Sequence, residues 1–257
     1  MKTGNSILLL ALLAVSAACA PNHYRASLSG MSGRMSGDIA LQNTAGTNNL
    51  ETDRNNLRSD LGVGESEALP YFQAEGTWGG HTVRFNVFDY SSDGSGTLSA
   101  PFGDIATGTP VNTALEFTAV QASWAYDVLD SETLHFGPGV QVSYYRLDLT
   151  ADAGAAAGFE EIDSETFIPQ LYLEGEVDLG VVSFVAGVGG MSVYQYHDAD
   201  GSWWDTQLML RAQPIDHLEL LLGYRLIGMD ADGIASSRDF DVDARFEGWF
   251  LGAGLRF

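Results

Sequence analysis

Cysteine is nearly absent. Cys19 is the only one in 257 residues, so no disulfide can form within the chain. Basic residues are scarce too: 12 Lys and Arg stand against 34 Asp and Glu, a formal net charge of -22. A nucleic-acid duplex or an anionic lipid surface would repel such a chain, which argues against nucleic acid as a partner. Long apolar runs are missing as well. No stretch reaches the roughly 18 unbroken apolar residues that a membrane-spanning helix needs. Helical periodicity is nowhere sustained. If the chain crosses a membrane, it must do so as a closed barrel, the other structure that satisfies every backbone group in lipid.

Hydrophobic residues make up 45% of the chain and aromatics 11%, which speaks against disorder over most of its length. The length suits one barrel or sandwich domain, or two small domains. The first twenty residues have the layout of a secretory signal: Lys2, the short apolar run Ile7 to Val15, and the small residues Ser16 to Ala20. Ser16-Ala17-Ala18-Cys19 resembles a lipobox with Ser16 in place of the usual Leu, so Cys19 is a lipidation candidate. The alternative is ordinary cleavage nearby, with Cys19 removed. Residues 21–33 are rich in Ser and Gly and read as a flexible periplasmic leader.

From Arg34 onward, segments of about ten residues alternate apolar and polar side chains, the signature of strands with two different faces. Leu218, Leu220, Leu222, Tyr224 and Leu226 oppose Glu219, Leu221, Gly223 and Arg225. The spacing predicts ten strands over 34–43, 70–78, 81–91, 113–129, 132–148, 166–179, 181–196, 203–213, 217–230 and 242–257. Tight turns at 78–81, 129–132, 179–180 and 213–216 alternate with longer polar stretches at 44–69, 92–112, 149–165, 197–202 and 231–241. Short periplasmic turns and longer extracellular loops have this rhythm. Both termini then lie on the periplasmic side.

Alternation alone does not say which face is inside, and a soluble lipocalin-like barrel has the same period. Ionisable residues near mid-strand favour a charged lumen: Glu75, Arg84, Asp127, Glu174, Glu176, Asp205, Arg211, Glu219 and Arg225. Tyr90, Tyr144, Tyr145, Phe167, Tyr194, Tyr196, Trp203 and Trp204 gather near the loop-side strand ends and suit an interfacial belt. The ending Trp249-Phe250-Leu251-Gly252-Ala253-Gly254-Leu255-Arg256-Phe257 resembles the C-terminal signature of bacterial outer-membrane β-barrel proteins. The resemblance implies that Phe257 is an assembly signal read by the barrel-assembly machinery.

Candidate chemistry is sparse. His197, Asp198 and Asp200, with Asp230 and Asp232, fall in predicted rim loops, where omptin proteases place a His-Asp dyad and paired Asp residues. No clear match to the paired-Asp motif of that family is present. Asp198-Ala199-Asp200-Gly201 and Asp230-Ala231-Asp232-Gly233 are weak Ca²⁺ or Mg²⁺ candidates, with turn chemistry as the plainer reading. His23, His81, His135 and His217 are expected to be structural or solvated.

The expectation is therefore an all-β, up-and-down antiparallel transmembrane β-barrel over 34–257, in the outer membrane of a Gram-negative cell. Tyr71, Tyr172, Met209, Leu221 and Phe250 should fill a ten-stranded lumen, alongside paired charges. The expected role is structural or surface-interacting, through acidic loops, with no cofactor and no catalysis. Expected partners are outer-membrane lipids, the assembly machinery and divalent cations. The rivals are a narrow porin-like channel and a rim-site hydrolase.

Overall fold

A computed structural model describes residues 23–155, 158–196, 199–235 and 237–257, with the backbone alone described at 193–196, 199, 200 and 235. The strands in chain order are β1 (His23–Leu41), β2 (Asn55–Asn56), β3 (Glu67–Trp78), β4 (His81–Thr97), β5 (Pro110–Tyr126) and β6 (Leu129–Asp130). They continue with β7 (Leu134–Asp152), β8 (Phe159–Asp178), β9 (Val182–Tyr196), β10 (Ala199–Ile215), β11 (Leu218–Ala235) and β12 (Arg238–Arg256). The ten long strands pair antiparallel in chain order, and β12 returns to β1 from Arg25↔Arg256 to Leu41↔Phe240, closing the ring. β2 and β6 are short additions on β1 and β7.

The first strand corrects one expectation. Residues 23–33 are not a leader; they pair with β12 on one side and β3 on the other. Their Ser and Gly content has a packing cause. Ser27 and Ser29 turn inward, and a Cβ on Gly33 would lie 2.6 Å from the Phe246 ring. The expected signal over 1–20, with Cys19, and residues 21 and 22 of the expected leader lie outside the described residues.

In the half nearest the short turns, the barrel has greasy walls and a polar interior. Leu220 and Leu222 are 47% and 45% exposed, whereas Arg225 is 1% exposed. Val140, Val142, Leu171, Leu173, Trp249 and Leu251 share that outer belt. At the other end the sense reverses while the two-residue period continues. In β7, Arg146, Asp148 and Thr150 face out, and Tyr145, Leu147, Leu149 and Ala151 are buried inside. In β12, Asp241, Asp243 and Arg245 face out over buried Phe240, Val242, Ala244 and Phe246.

This reversal corrects the expected loops. Residues 92–97, 149–152, 159–165, 199–202, 231–235 and 238–241 belong to strands that project beyond the apolar belt. Their outward charges gave the sequence the look of polar loops. Of the expected aromatic belt, Tyr144, Phe167 and Trp204 face out, but Tyr90 and Tyr145 are buried inside and Trp203 packs on the core. Tyr194 and Tyr196 have no described side chains. Tyr224 and Trp249 complete the outer ring of aromatics, with ring centroids 4.9 Å apart.

Two connections finish the projecting half. β3 starts at Glu67, while β1 and β4 run on, and residues 42–66 fill the space left in the wall. Asn55 and Asn56 pair with β1, and Leu57, Leu61 and Val63 turn into the core. Gly62 (φ 72°) and Gly64 (φ 90°) adopt left-handed backbone where any Cβ would strike the main chain at Ser95 and Met35.

Candidate functional site

The β3–β4 hairpin sets Glu75 directly opposite Arg84 on the inner face. Arg84 Nη2 lies 2.7 Å from Glu75 Oε2, and Arg84 Nη1 lies 2.5 Å from Glu174 Oε2 across the lumen on β8. Arg211, from β10, also donates to Glu75 and lies 3.6 Å from Glu176. Arg25 donates to Glu75 at 2.7 Å and pairs with Glu219 at 3.0 Å. Three guanidinium groups (Arg25, Arg84, Arg211) thus interlock with four carboxylates (Glu75, Glu174, Glu176, Glu219). Each cation offsets the desolvation of its neighbours; unpaired, any one would be costly here. The void inside this cluster is about 10 Å³, space for about one water.

A second polar layer lies above the first. Arg225 Nη2 is 2.7 Å from Asp205 Oδ2, and Arg225 Nη1 donates to the Tyr71 hydroxyl at 2.7 Å. Gln121 also donates to Asp205, and Gln141 does so at 3.1 Å while reaching Gln170 at 2.7 Å. Further up, the interior is apolar, with Met31, Phe88, Phe117, Phe246 and Ile227 in contact. Tyr71, Tyr172, Met209, Leu221 and Phe250 are all buried inside.

The mouth is covered by the β4–β5 connection. Phe102 and Ile105 form a bridge and sink fully into the core. Gly103 N–H donates to Leu41 O at 3.0 Å, and Asp104 N–H donates to Glu160 at 2.7 Å. Arg238 holds the other side of Glu160. Asp104 accepts from the Thr44 hydroxyl and N–H, which hold its carboxyl below the ordinary value. In the 42–66 connection, burial raises the Asp60 carboxyl, but hydrogen bonds from Ser99, Asn56 N–H and Ser59 outweigh it and leave the value lowered.

At the short-turn end a polar vestibule of about 330 Å³ is lined by His81, Asp127, His135, Glu174 and Glu176, among others. His135 Nδ1 lies 3.0 Å from Asp130 and 3.9 Å from Asp127. Burial raises the Asp127 carboxyl, with His135 acting against it.

All eight expected lumen charges (Glu75, Arg84, Glu174, Glu176, Asp205, Arg211, Glu219 and Arg225) point inward, in the two layers just described. Arg25 was hidden from the sequence reading by its Ser/Gly-rich surroundings. Asp127 lies just past the end of β5, not at mid-strand.

The tetrapeptides need correction. Asp230 and Asp232 are not turn residues: they face outward in β11, opposite Asp243 and Asp241. Their spacing is the two-residue period of a strand. Asp200 is in β10 with only its backbone described; His197 and Asp198 lie outside the described residues. Among the described residues no three potential ligands converge on a metal position. Phe257 is exposed at the barrel closure, exchanging backbone hydrogen bonds of 2.8 and 2.9 Å with Tyr24.

A closed antiparallel ring with an apolar outer belt and a paired-charge lumen defines a transmembrane β-barrel of the bacterial outer-membrane kind. The chain is similar to the outer membrane protease OmpT from Escherichia coli, at 7% identity and a TM-score of 0.60, over 93% of this chain and 98% of that one. The translocator domain of the autotransporter NalP from Neisseria meningitidis matches at 12% identity and a TM-score of 0.40, over 98% and 95%. The attachment invasion locus protein Ail of Yersinia pestis matches at 8% identity and a TM-score of 0.37, over 91% and 98%. No protein-family model and no curated protein matches the chain.

Proposed function

We propose that this protein is an integral outer-membrane barrel that neither conducts nor catalyses, and that it carries a rigid acidic stalk above the membrane for surface interaction. One observation supports it above others: the lumen is blocked twice, by the Arg25/Arg84/Arg211 ion-pair cluster and by the apolar plug under Phe102 and Ile105. A narrow channel needs a polar path past both, and a plug of this kind has no use for one. The stalk is the half where outward residues are Asp, Glu and Arg, and acids predominate there: Asp89, Asp93, Glu116, Asp148, Asp163, Asp230, Asp232, Asp241 and Asp243. Such a surface favours cationic partners or divalent cations that bridge to lipid phosphates.

In this reading both termini face the periplasm, because β1 starts and β12 ends at the short-turn end. A lipid on Cys19 would then anchor in the periplasmic leaflet, four residues before His23. Phe257 would serve the assembly machinery from the same edge.

Planar-bilayer recording tests the proposal. The purified barrel is expected to be silent at physiological salt. Stable unitary conductance would overturn it in favour of the channel.

A further inference from the structure

The barrel wall is interrupted between β8 and β9. Among the described residues their ladder runs only from Asp178↔Ser183 to Leu171↔Gly190. Beyond that point β8 continues to Phe159 paired with β7 alone, and β9 continues paired with β10 alone. Pro169 sits at the break. It brings no N–H to the ladder, and proline belongs on strand edges. Side-chain exposure shows the same opening. Ser164, Thr166, Met191 and Trp203 point inward yet are half-exposed, whereas Phe117, Phe246 and Ile227 elsewhere in the lumen are fully buried.

Behind the gap lies a cavity of about 230 Å³, walled by Tyr145, Leu147, Trp203, Met229, Phe240 and Val242. The Trp203 indole packs against Gly201, where a Cβ would collide with it. Glu165 and Asp232, both facing outward, border the cavity; Arg146 lies 3.8 Å from Glu165 but also pairs with Asp148 and Asp163, so this rim is acidic on balance. The gap starts at the upper edge of the greasy belt, since Phe167 is 71% exposed and the next outward residue of β8 is Glu165.

We propose that this seam admits a single aliphatic chain from the membrane boundary and prefers a chain with a neutral or cationic head. The apolar walls select the tail, and the two rim carboxylates repel an anionic head. The inference rests on the reading of the chain as a membrane-embedded barrel.

The test uses the full barrel in phosphatidylcholine nanodiscs, titrated with 12-bromododecyltrimethylammonium, whose bromine quenches tryptophan. A saturable quenching component is expected in the native protein. Trp203→Phe should abolish it, and Ala231→Phe, which fills the cavity, should weaken it at least tenfold. The sulfate-headed analogue should bind at least tenfold more weakly. Quenching that rises only linearly with probe, or equal binding of the sulfate, would overturn the proposal. So would efficient cross-linking between copies through Thr166→Cys in a Cys19→Ser background, which would assign the open edge to a second chain. A barrel that fails to enter nanodiscs, or lacks heat-modifiable migration, would instead sink the underlying membrane reading.

Discussion

Arg225 and Asp205 meet at 2.7 Å inside the barrel, at positions where the outward neighbours are Trp204, Thr206, Tyr224 and Leu226. The pair is sealed from water by greasy strands on the outside and by the apolar plug above. Removing one partner leaves a buried charge, which costs about 3–5 kcal/mol. Asp205→Ala should therefore lower the temperature at which the folded band disappears on a semi-native gel. Asp205→Leu combined with Arg225→Met should regain most of that loss, because neither charge then remains.

Glu75 serves three guanidinium groups at once. Glu75→Gln should destabilise more than Glu219→Gln, since among the described residues Glu219 pairs with Arg25 alone. Urea-induced unfolding in lipid vesicles measures the order. Equal losses would mean that the remaining carboxylates, or water admitted to the cluster, take over the guanidinium contacts of Glu75.

Gly62 holds left-handed backbone against Ser95. Gly62→Val should detach the 42–66 connection while leaving the ring intact. Whole-cell proteolysis should nick this segment faster than in the native protein, with unchanged heat-modifiable migration.

The same region should respond to acid. The Asp60 and Asp104 carboxyls are held below the ordinary value of 3.8. A depressed carboxyl contributes stability that is present above its unfolded value and lost as pH falls through its folded value. Pepsin resistance of the 42–66 and 98–109 connections should stay constant down to about pH 4 and fall below it. Asp104→Asn should flatten part of that fall.

Much of the wall was legible in the sequence, because the two-residue period survives from one end of each strand to the other. The row Leu220/Leu222 against Arg225 carries the orientation of the wall, with the leucines outward and the arginine enclosed. The projecting half reads as polar loops because the same period changes meaning above the belt. Leu147, Leu149 and Ala151 between Arg146, Asp148 and Thr150 carry the signal, but the sense of the faces is reversed. Water replaces lipid as the outer solvent, so apolar residues move inside. Arg25 was invisible because Gly and Ser on β1 make room for large facing residues such as Phe246. Phe102 and Ile105, isolated apolar residues in a polar connection, have no periodic neighbours to mark them.

The most direct measurement concerns that change of solvent along a single strand. Single cysteines at Val140, Val142, Asp148 and Thr150, in a Cys19→Ser background, would be exposed to a membrane-impermeant maleimide in intact vesicles. All four positions face outward on β7. Labelling at 148 and 150, with protection at 140 and 142 until the lipid is dissolved, is the predicted result. Equal labelling at all four positions in intact vesicles would contradict the account.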